Sequence, residues 1–264
     1  MKKLENYLFQ SFTEITPSVE KIKNAIGLVD NELFNDHIAF RTINSKNVNI
    51  WVLADFFARF GYEPAGKYYF QKKKLRGIHL CDPNDISKPK IFISQLMLEK
   101  CSPFVQNTLS QAFDKLNKKR ISLICSGRNW EVSHKVYMKL LAESEYAAWL
   151  YVHGMRVNHF TLNINKLKGY TIESLCAKLL KKGFTLNHSG GIIKGSYALG
   201  LKQASIMADQ ISIKFVDLAY EIKIPSCYVE FAERFLVDGE IFQGFLTNSA
   251  NYIFESTDNL RNAS

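Results

Sequence analysis

The sequence predicts an α+β fold in which two βαβββ modules pair around a cleft, with a helical insertion between them and helices at the N-terminus. Three observations carry that reading. A strand-like run at Asn35–Thr42 is echoed at Val157–Asn163, each with a histidine near its start. From His37 to Gly61, and again from His159 to Gly183, the chain runs 24 residues through a helical pattern that ends on the glycine. Residues 99–152 interrupt the scheme with helical periodicity alone. We therefore expect one domain over residues 1–264, made of a first module at 31–98, the insertion at 99–152 and a second module at 155–231.

Taken in order, residues 1 to 30 place Leu4, Leu8, Phe9 and Phe12, then Val19, Ile22, Ile26 and Val29, at helical spacing. Thr16 followed by Pro17 reads as a cap with proline at the first helical position. This pair of helices is expected on the outside of the first module's sheet. The first strand covers about 35 to 43. With a period of two, His37, Ala39 and Arg41 share one face, and Ile38, Phe40 and Thr42 the other. The helix from Val48 to Arg59 turns Trp51, Leu53, Ala54, Phe57 and Ala58 towards a core. Strands follow at Ala65–Gln71, Leu75–Cys81 and Lys90–Leu98, the last two separated by the turn-rich Asp82-Pro83-Asn84-Asp85.

In the insertion, Leu109, Phe113 and Leu116 predict one helix, and Val136, Leu140, Leu141, Tyr146 and Trp149 another. Arg156–Ile164 opens the second module, with His159, Thr161 and Asn163 opposite Phe160, Leu162 and Ile164. A helix at Ile172–Lys182 follows, then strands at about Phe184–Asn187, Ala198–Met207, Ile211–Leu218 and Tyr228–Phe231. The tail, Ile253–Thr257, is apolar enough to dock before fraying at Asn262.

Composition narrows the function classes. At 264 residues, 47% hydrophobic and 13% aromatic, the chain buries a sizeable core. No run of 18 apolar residues exists, so no membrane partner is expected. The start, Met1-Lys2-Lys3-Leu4-Glu5, lacks the apolar core of a signal peptide. Five scattered cysteines without a CxxC pair argue for free thiols in a reducing cytoplasm. The net charge of +9 invites a nucleic-acid reading. Its densest clusters, Lys72-Lys73-Lys74 and Lys118-Lys119-Arg120, are not interleaved with stacking aromatics, so we expect no nucleic-acid partner and an attraction for small anions.

Pairing the modules by a pseudo-two-fold brings the two first strands together, so His37 and His159 project into one cavity. A lone histidine in an apolar strand is more often a hydrogen-bonded core residue. Two at matched repeat positions point instead to a metal. Two neutral imidazoles suit iron, zinc, nickel or copper and need at least one more ligand. Glu230 offers it, sharing a strand face with Tyr228 and opposite Val229 and Phe231. Glu233 competes for the role, and spacing leaves the two open. Of the other histidines, His79 lies in a first-module strand and could face the cavity, and His153 precedes His159 by six residues.

The strings NDHIAFRT (35–42), VNHFT (157–161), IKGS (193–196), IPSCYVEFAER (224–234) and IFEST (253–257) resemble the 2-oxoadipate dioxygenase/decarboxylase family of the vicinal oxygen chelate superfamily. The resemblance runs from about residue 30 to 257. It implies paired βαβββ modules forming one catalytic domain, and an Fe(2+) cofactor held by His37, His159 and Glu230. It also matches Arg41 to the substrate-binding arginine, so that Arg41, with His37 and His159 through the metal, handles substrate. The implied reaction takes a 2-oxo dicarboxylic acid and O₂ as small-molecule partners. 2-Oxoadipate becomes 2-hydroxyglutarate and CO₂, a step of lysine degradation.

Arg41 lies four residues beyond His37 on the same strand face, about 13 Å along it, and its long side chain can lean back towards the metal. A planar guanidinium suits the far carboxylate of such a substrate. The matching position in the second module is the uncharged Asn163. A pairing of Arg41 with Glu230 or Asp217 is the structural alternative. Two other functions stand beside this reading: a metal-dependent lyase or isomerase of glyoxalase type, and a metal-free module binding a small anion.

Overall fold

The computed structural model describes residues 2–28, 34–116 and 124–258. Val29, the expected module start at 31, the Lys118-Lys119-Arg120 cluster and the tail's end at Asn262 lie outside the described residues.

The first module is β1 (Asn35–Ile43), α3 (Ile50–Ala58), β2 (Glu63–Phe70), β3 (Leu75–Cys81) and β4 (Lys90–Leu96). The second is β5 (Val157–Asn163), α7 (Ile172–Lys181), β6 (Lys194–Ser196), β7 (Leu201–Ser205) and β10 (Tyr228–Arg234). All eight strands join one sheet in the order β2-β3-β4-β1-β5-β10-β7-β6. The order is symmetric about the antiparallel β1–β5 pair, and in each half the last strand of the module runs parallel to the first. Gly61 and Gly183 adopt φ of 88° and 85°. Each is followed by a residue whose N–H donates to the helix carbonyl five back, Tyr62 to Phe57 and Phe184 to Leu179. Both helices therefore end in the same glycine-closed turn. This is the paired βαβββ architecture that the repeat predicts.

Convex and concave faces divide the labour. Ile38 and Phe40 are fully buried on the convex side, where Phe40 meets Phe57 of α3 at 5.5 Å between ring centres. Ile50, Leu53, Ala54 and Phe57 form the buried stripe of α3, whereas Trp51 and Ala58 face solvent, because only the i, i+3, i+4, i+7 set points inward. The N-terminal helices α1 (Lys2–Thr13) and α2 (Ser18–Ile26) pack against the second module instead of the first. Phe9 and Phe12 close on Phe160 of β5 at 5.2 and 5.0 Å. The Thr16 hydroxyl donates back to the Phe12 carbonyl, so it closes α1, and Pro17 precedes the helix instead of opening it.

The insertion holds α4 (Pro103–Asp114), α5 (His134–Glu143) and α6 (Glu145–His153). The expected second helix is thus two, broken at Ser144, whose extended backbone and side chain accepting from Ala147 N–H start a new helix. Its Tyr146 plugs one end of the concave face, with its hydroxyl donating to the Ser94 carbonyl and accepting from Thr42 N–H.

In the second module, the expected strand at Phe184–Asn187 is reduced to one bridge from Leu186 to Ile206. The run at Ile211–Leu218 leaves the main sheet altogether. β8 (Gln210–Lys214) pairs only with β9 (Glu221–Pro225). Asp217 draws this hairpin towards α5 by accepting from Ser133 Oγ and from the N–H groups of His134 and Lys135. The tail docks as expected: α8 (Thr247–Ile253) is followed by buried Phe254, Ser256 and Thr257. Among the described residues no helix is long and apolar enough to cross a membrane.

Candidate metal centre

Each histidine strand carries one extra residue immediately before its histidine. Between Asn35 and His37 the register on β5 advances by one residue, so Asp36 is bulged out. Between Val157 and His159 the register on β1 likewise advances by one, which bulges Asn158. A bulge turns two successive side chains to one side of the sheet. Asp36 therefore reaches its own neighbour, and His37 Nδ1 donates to the Asp36 carboxylate at 2.8 Å. Asn158 Oδ1 does the same for His159 Nδ1 at 3.0 Å. The two acceptors fix both Nδ1 atoms as proton carriers and leave both Nε2 atoms as lone pairs.

Those lone pairs converge with a carboxylate. His37, His159 and Glu230 place one ligand atom each within 4.8 Å of one another, all buried. Glu230 Oε2 lies 3.1 Å from His159 Nε2 and 3.8 Å from His37 Nε2. It makes no hydrogen bond among the described residues. Its partner oxygen accepts from Gln203 Nε2 at 2.6 Å, which orients the carboxylate. Thr161 Oγ1 donates to His37 Nε2 at 3.0 Å and relieves one of these electron pairs, and a cation among the three would relieve their mutual repulsion. The donor set of two neutral imidazoles and a carboxylate is that of a divalent transition metal with open coordination positions. Glu233, the competing carboxylate, accepts from Ile172 N–H at 3.0 Å and so serves the start of α7.

Electrostatics agree with that geometry. Burial raises the Asp36 carboxyl, but the Arg234 guanidinium and His37 outweigh it and hold it well below the usual carboxylate range. Arg234 grips Asp36 with Nε at 2.6 Å and Nη2 at 2.9 Å, and its Nη1 donates to the carbonyls of Phe242 and Gly244. Burial likewise opposes the Glu230 charge, and positive charge on the His37 and His159 rings, which a bound cation would supply in place of a ring proton, outweighs it. Burial pushes the His159 imidazolium down, favouring the neutral ring a ligand needs.

The repeat is broken where it matters. Since His37 matches His159, the β4 position matching Glu230 is Phe92, paired in register with Ala39 as Glu230 is with Thr161. One module supplies a carboxylate and the other a ring. Among the described residues, the asymmetry leaves His37 as the first module's one member of the cluster, against His159 and Glu230 from the second.

Arg41 sits at the end of the cleft plugged by α6. It pairs with neither Glu230 nor Asp217. Its Nη1 donates to Glu145 at 2.7 Å and its Nη2 to Thr257 Oγ1 at 2.8 Å. The guanidinium lies over the rings of Tyr146 and Trp149 at 4.8 and 5.1 Å, and its Nε–H has no acceptor among the described residues. An open groove of about 870 Å³, lined in part by Lys73, Glu145, Tyr146 and Glu255, reaches the outer side of this pair. His79 stands on the concave face of β3, away from the triad, and His153 Nε2–H donates to the Pro225 carbonyl at 2.9 Å as a core residue of α6.

A model of the 2-oxoadipate dioxygenase/decarboxylase family matches residues 7–124 and 114–240, which include all three convergent residues. The curated 2-oxoadipate dioxygenase/decarboxylase of Arabidopsis thaliana, a chloroplastic protein, is 35% identical over 257 residues, covering 86% of this chain and 69% of the relative. The chain belongs to the 2-oxoadipate dioxygenase/decarboxylase family. A crystal structure of the hydroxyglutarate synthase of Oryza sativa in complex with 2-oxoadipate superposes with a TM-score of 0.89 at 29% identity, over 99% of this chain and 93% of that one. A structure from Ralstonia eutropha JMP134 described as a glyoxalase superfamily protein gives 0.72 at 19% identity, over 92% and 84%, and supports the fold.

Sequence reasoning passed over Asp36, Asn158 and Arg234, which lie within the family's motifs, and Gln203 and Glu145, which lie outside them. The first two carried a readable signal, since a side chain able to accept from Nδ1 precedes each histidine of the repeat. Gln203, Glu145 and Arg234 approach from 27, 104 and 198 residues away, and no local pattern marks them.

Proposed function

We propose that this chain is an iron(II)-dependent dioxygenase that decarboxylates a 2-oxo dicarboxylic acid, converting 2-oxoadipate and O₂ to 2-hydroxyglutarate and CO₂, the lysine-degradation step. The observation that carries it is the convergence of Glu230 with His37 and His159, the two histidines at matched positions of the two modules, in a chain of this family. These three residues would hold the metal. Iron(II), when bound, supplies chelation of the 2-oxo acid and activation of dioxygen.

The chain's own residues do the rest. Asp36 and Asn158 keep the two Nδ1 protons in place, so the imidazoles stay neutral ligands. Gln203 holds Glu230 in its orientation. Phe92, Phe245 and Tyr228 wall the site with rings and exclude water, which strengthens every charge interaction inside. Arg41 would hold the far carboxylate. Glu145 and Thr257 fix its plane while leaving Nε–H for a substrate oxygen. The groove beside Glu145 gives a path to it. In this reading the modules and the insertion act as one catalytic domain, because α6 and the tail supply the residues that hold Arg41.

Anaerobic reconstitution with Fe(II), followed by oxygen uptake across a panel of 2-oxo acids, tests the proposal. Uptake with 2-oxoadipate and release of CO₂ in equal amounts is the expected result. Turnover without oxygen consumption would mark a lyase or isomerase and overturn it.

A further inference from the structure

On the concave face of the first module lies a second cavity, of about 340 Å³, lined by Gly66, Tyr68, His79, Cys81, Lys90 and Gly244 among others. Lys90 is 5% exposed, yet its ammonium has no hydrogen-bond or ion-pair partner among the described residues. The acids nearby are already engaged: Asp82 pairs with Lys88, and Asp36 with Arg234. Burial, with Arg234 close by, pulls the Lys90 ammonium below its ordinary range, as befits a cation without a counter-ion.

His79 adds a second donor. Phe245 N–H donates to Tyr68 Oη at 3.1 Å, and the Tyr68 hydroxyl donates in turn to His79 Nδ1 at 2.8 Å. With the Tyr68 hydroxyl as the donor of that pair, the ring proton is on Nε2. Burial, then Lys90 and Arg234, lower the His79 pKa to about 4, so the ring stays neutral and keeps that tautomer. Its Nε2–H has no acceptor among the described residues. Gly66 makes room for the ring: a Cβ there would lie 2.7 Å from His79. Two donors on nearly buried side chains, one of them charged, face the same cavity and suit an anion there.

Phe245 separates this cavity from the metal position. Its ring lies 4.7 Å from His37, 5.3 Å from His79 and 5.0 Å from Phe92, and Gly244 beside it lines the cavity. We propose that the cavity behind Phe245 binds a small carboxylate, held by Lys90 Nζ and His79 Nε2–H. The carboxylate is that of a separate small acid, because the far end of the 2-oxo dicarboxylate is assigned to Arg41. The site stands on residues outside the metal triad and does not depend on the metal reading.

Calorimetric titration of the zinc-loaded protein with acetate and succinate tests it. Wild type binds both, Lys90→Met loses at least about tenfold in affinity, and Lys90→Arg retains most of it. Equal unfolding midpoints for wild type and Lys90→Met show that the fold is kept. Succinate and 2-oxoadipate binding together identifies a separate acid as the ligand. Mutual exclusion, with both weakened by Lys90→Met, overturns the separate acid and gives the cavity to the substrate in place of Arg41. Glu230→Gln tests the metal reading apart from this one, because it should release zinc and leave succinate binding in place. Absence of binding in wild type, or equal affinity in Lys90→Met, overturns the proposal.

Discussion

Asp36 illustrates how a single side chain acts on chemistry it does not perform. It accepts the His37 Nδ1 proton and is itself clamped by Arg234, so the imidazole that would face the metal is fixed in plane and tautomer. Partners of this kind are worth about 10–100-fold in metal affinity. Asp36→Asn should therefore weaken cobalt(II) binding by about that factor, read from the absorbance of the titrated metal, while His37→Ala and His159→Ala should abolish it. The two candidate carboxylates separate cleanly. Glu230→Ala should lose metal and activity, and Glu233→Ala should keep both, since it only caps α7. Retention of metal by Glu230→Ala would refute the ligand set. At Arg41, lysine keeps the charge but cannot serve Glu145, Thr257 and a substrate oxygen from one plane. Arg41→Lys should bind metal normally and turn over 2-oxoadipate at least about tenfold more slowly. Equal rates for Arg41→Ala and wild type would remove its proposed role.

At the scale of elements, matched parts of the two modules give a controlled comparison. Gly61 and Gly183 end α3 and α7 in the same left-handed turn. Alanine at either must adopt positive φ, which costs about 1–2 kcal/mol. A Cβ at Gly183 meets nothing within 4 Å, whereas at Gly61 it would lie 2.9 Å from Asp82 Oδ2. Both substitutions should lower the unfolding free energy in denaturant titration, Gly61→Ala by more. An equal loss would mean that the Asp82 loop yields freely. The bulges at Asp36 and Asn158 belong to the same scale, since strict alternation would have turned those side chains to the convex face. The β8–β9 hairpin shows the limit of strand patterning. Its alternation is real, but Asp217 at the start of α5 decides which partner it meets.

For the whole molecule, the two halves are tied by elements that cross between them. The N-terminal helices cover the second module, α6 from the insertion closes the cleft, and the tail returns Thr257 to Arg41. Burying neutral histidines makes this assembly acid-sensitive. Burial lowers His153 to about 3 and His79 to about 4, whereas an unfolded histidine takes up its proton near pH 6.5. The unfolded state then binds more protons below that pH, so the stability these groups contribute is complete above about pH 6.5 and is lost as pH falls. The slope reaches roughly 1.4 kcal/mol per pH unit for each ring. Asp36 and Glu230, held below their ordinary range, add loss in the same direction at lower pH. Denaturant unfolding between pH 7 and 4.5 should show this decline, and His153→Gln, which retains a donor for the Pro225 carbonyl, should flatten it. Parallel slopes for the two proteins would exclude His153 as a source.

The sequence by itself determined the repeat, because strand alternation, helix period and a helix-ending glycine are local properties that each module writes twice. It therefore determined the paired modules, and with them the meeting of His37 and His159, since symmetric halves must bring their first strands together. Glu230 was legible as a carboxylate on a strand face and was matched to a ligand by the family resemblance, but spacing alone did not choose it over Glu233. That choice depends on which of the two lies across from Thr161 and which reaches the start of α7, a matter of register between distant strands. The partner of Arg41 was also decided only by tertiary structure. Glu145 follows a helix break within the insertion, and no periodicity tells which end of a cleft a helix will close. The burial of Lys90 without a counter-ion has the same origin, because a lysine's surroundings are set by the strands folded over it and leave no mark on its own neighbours in sequence.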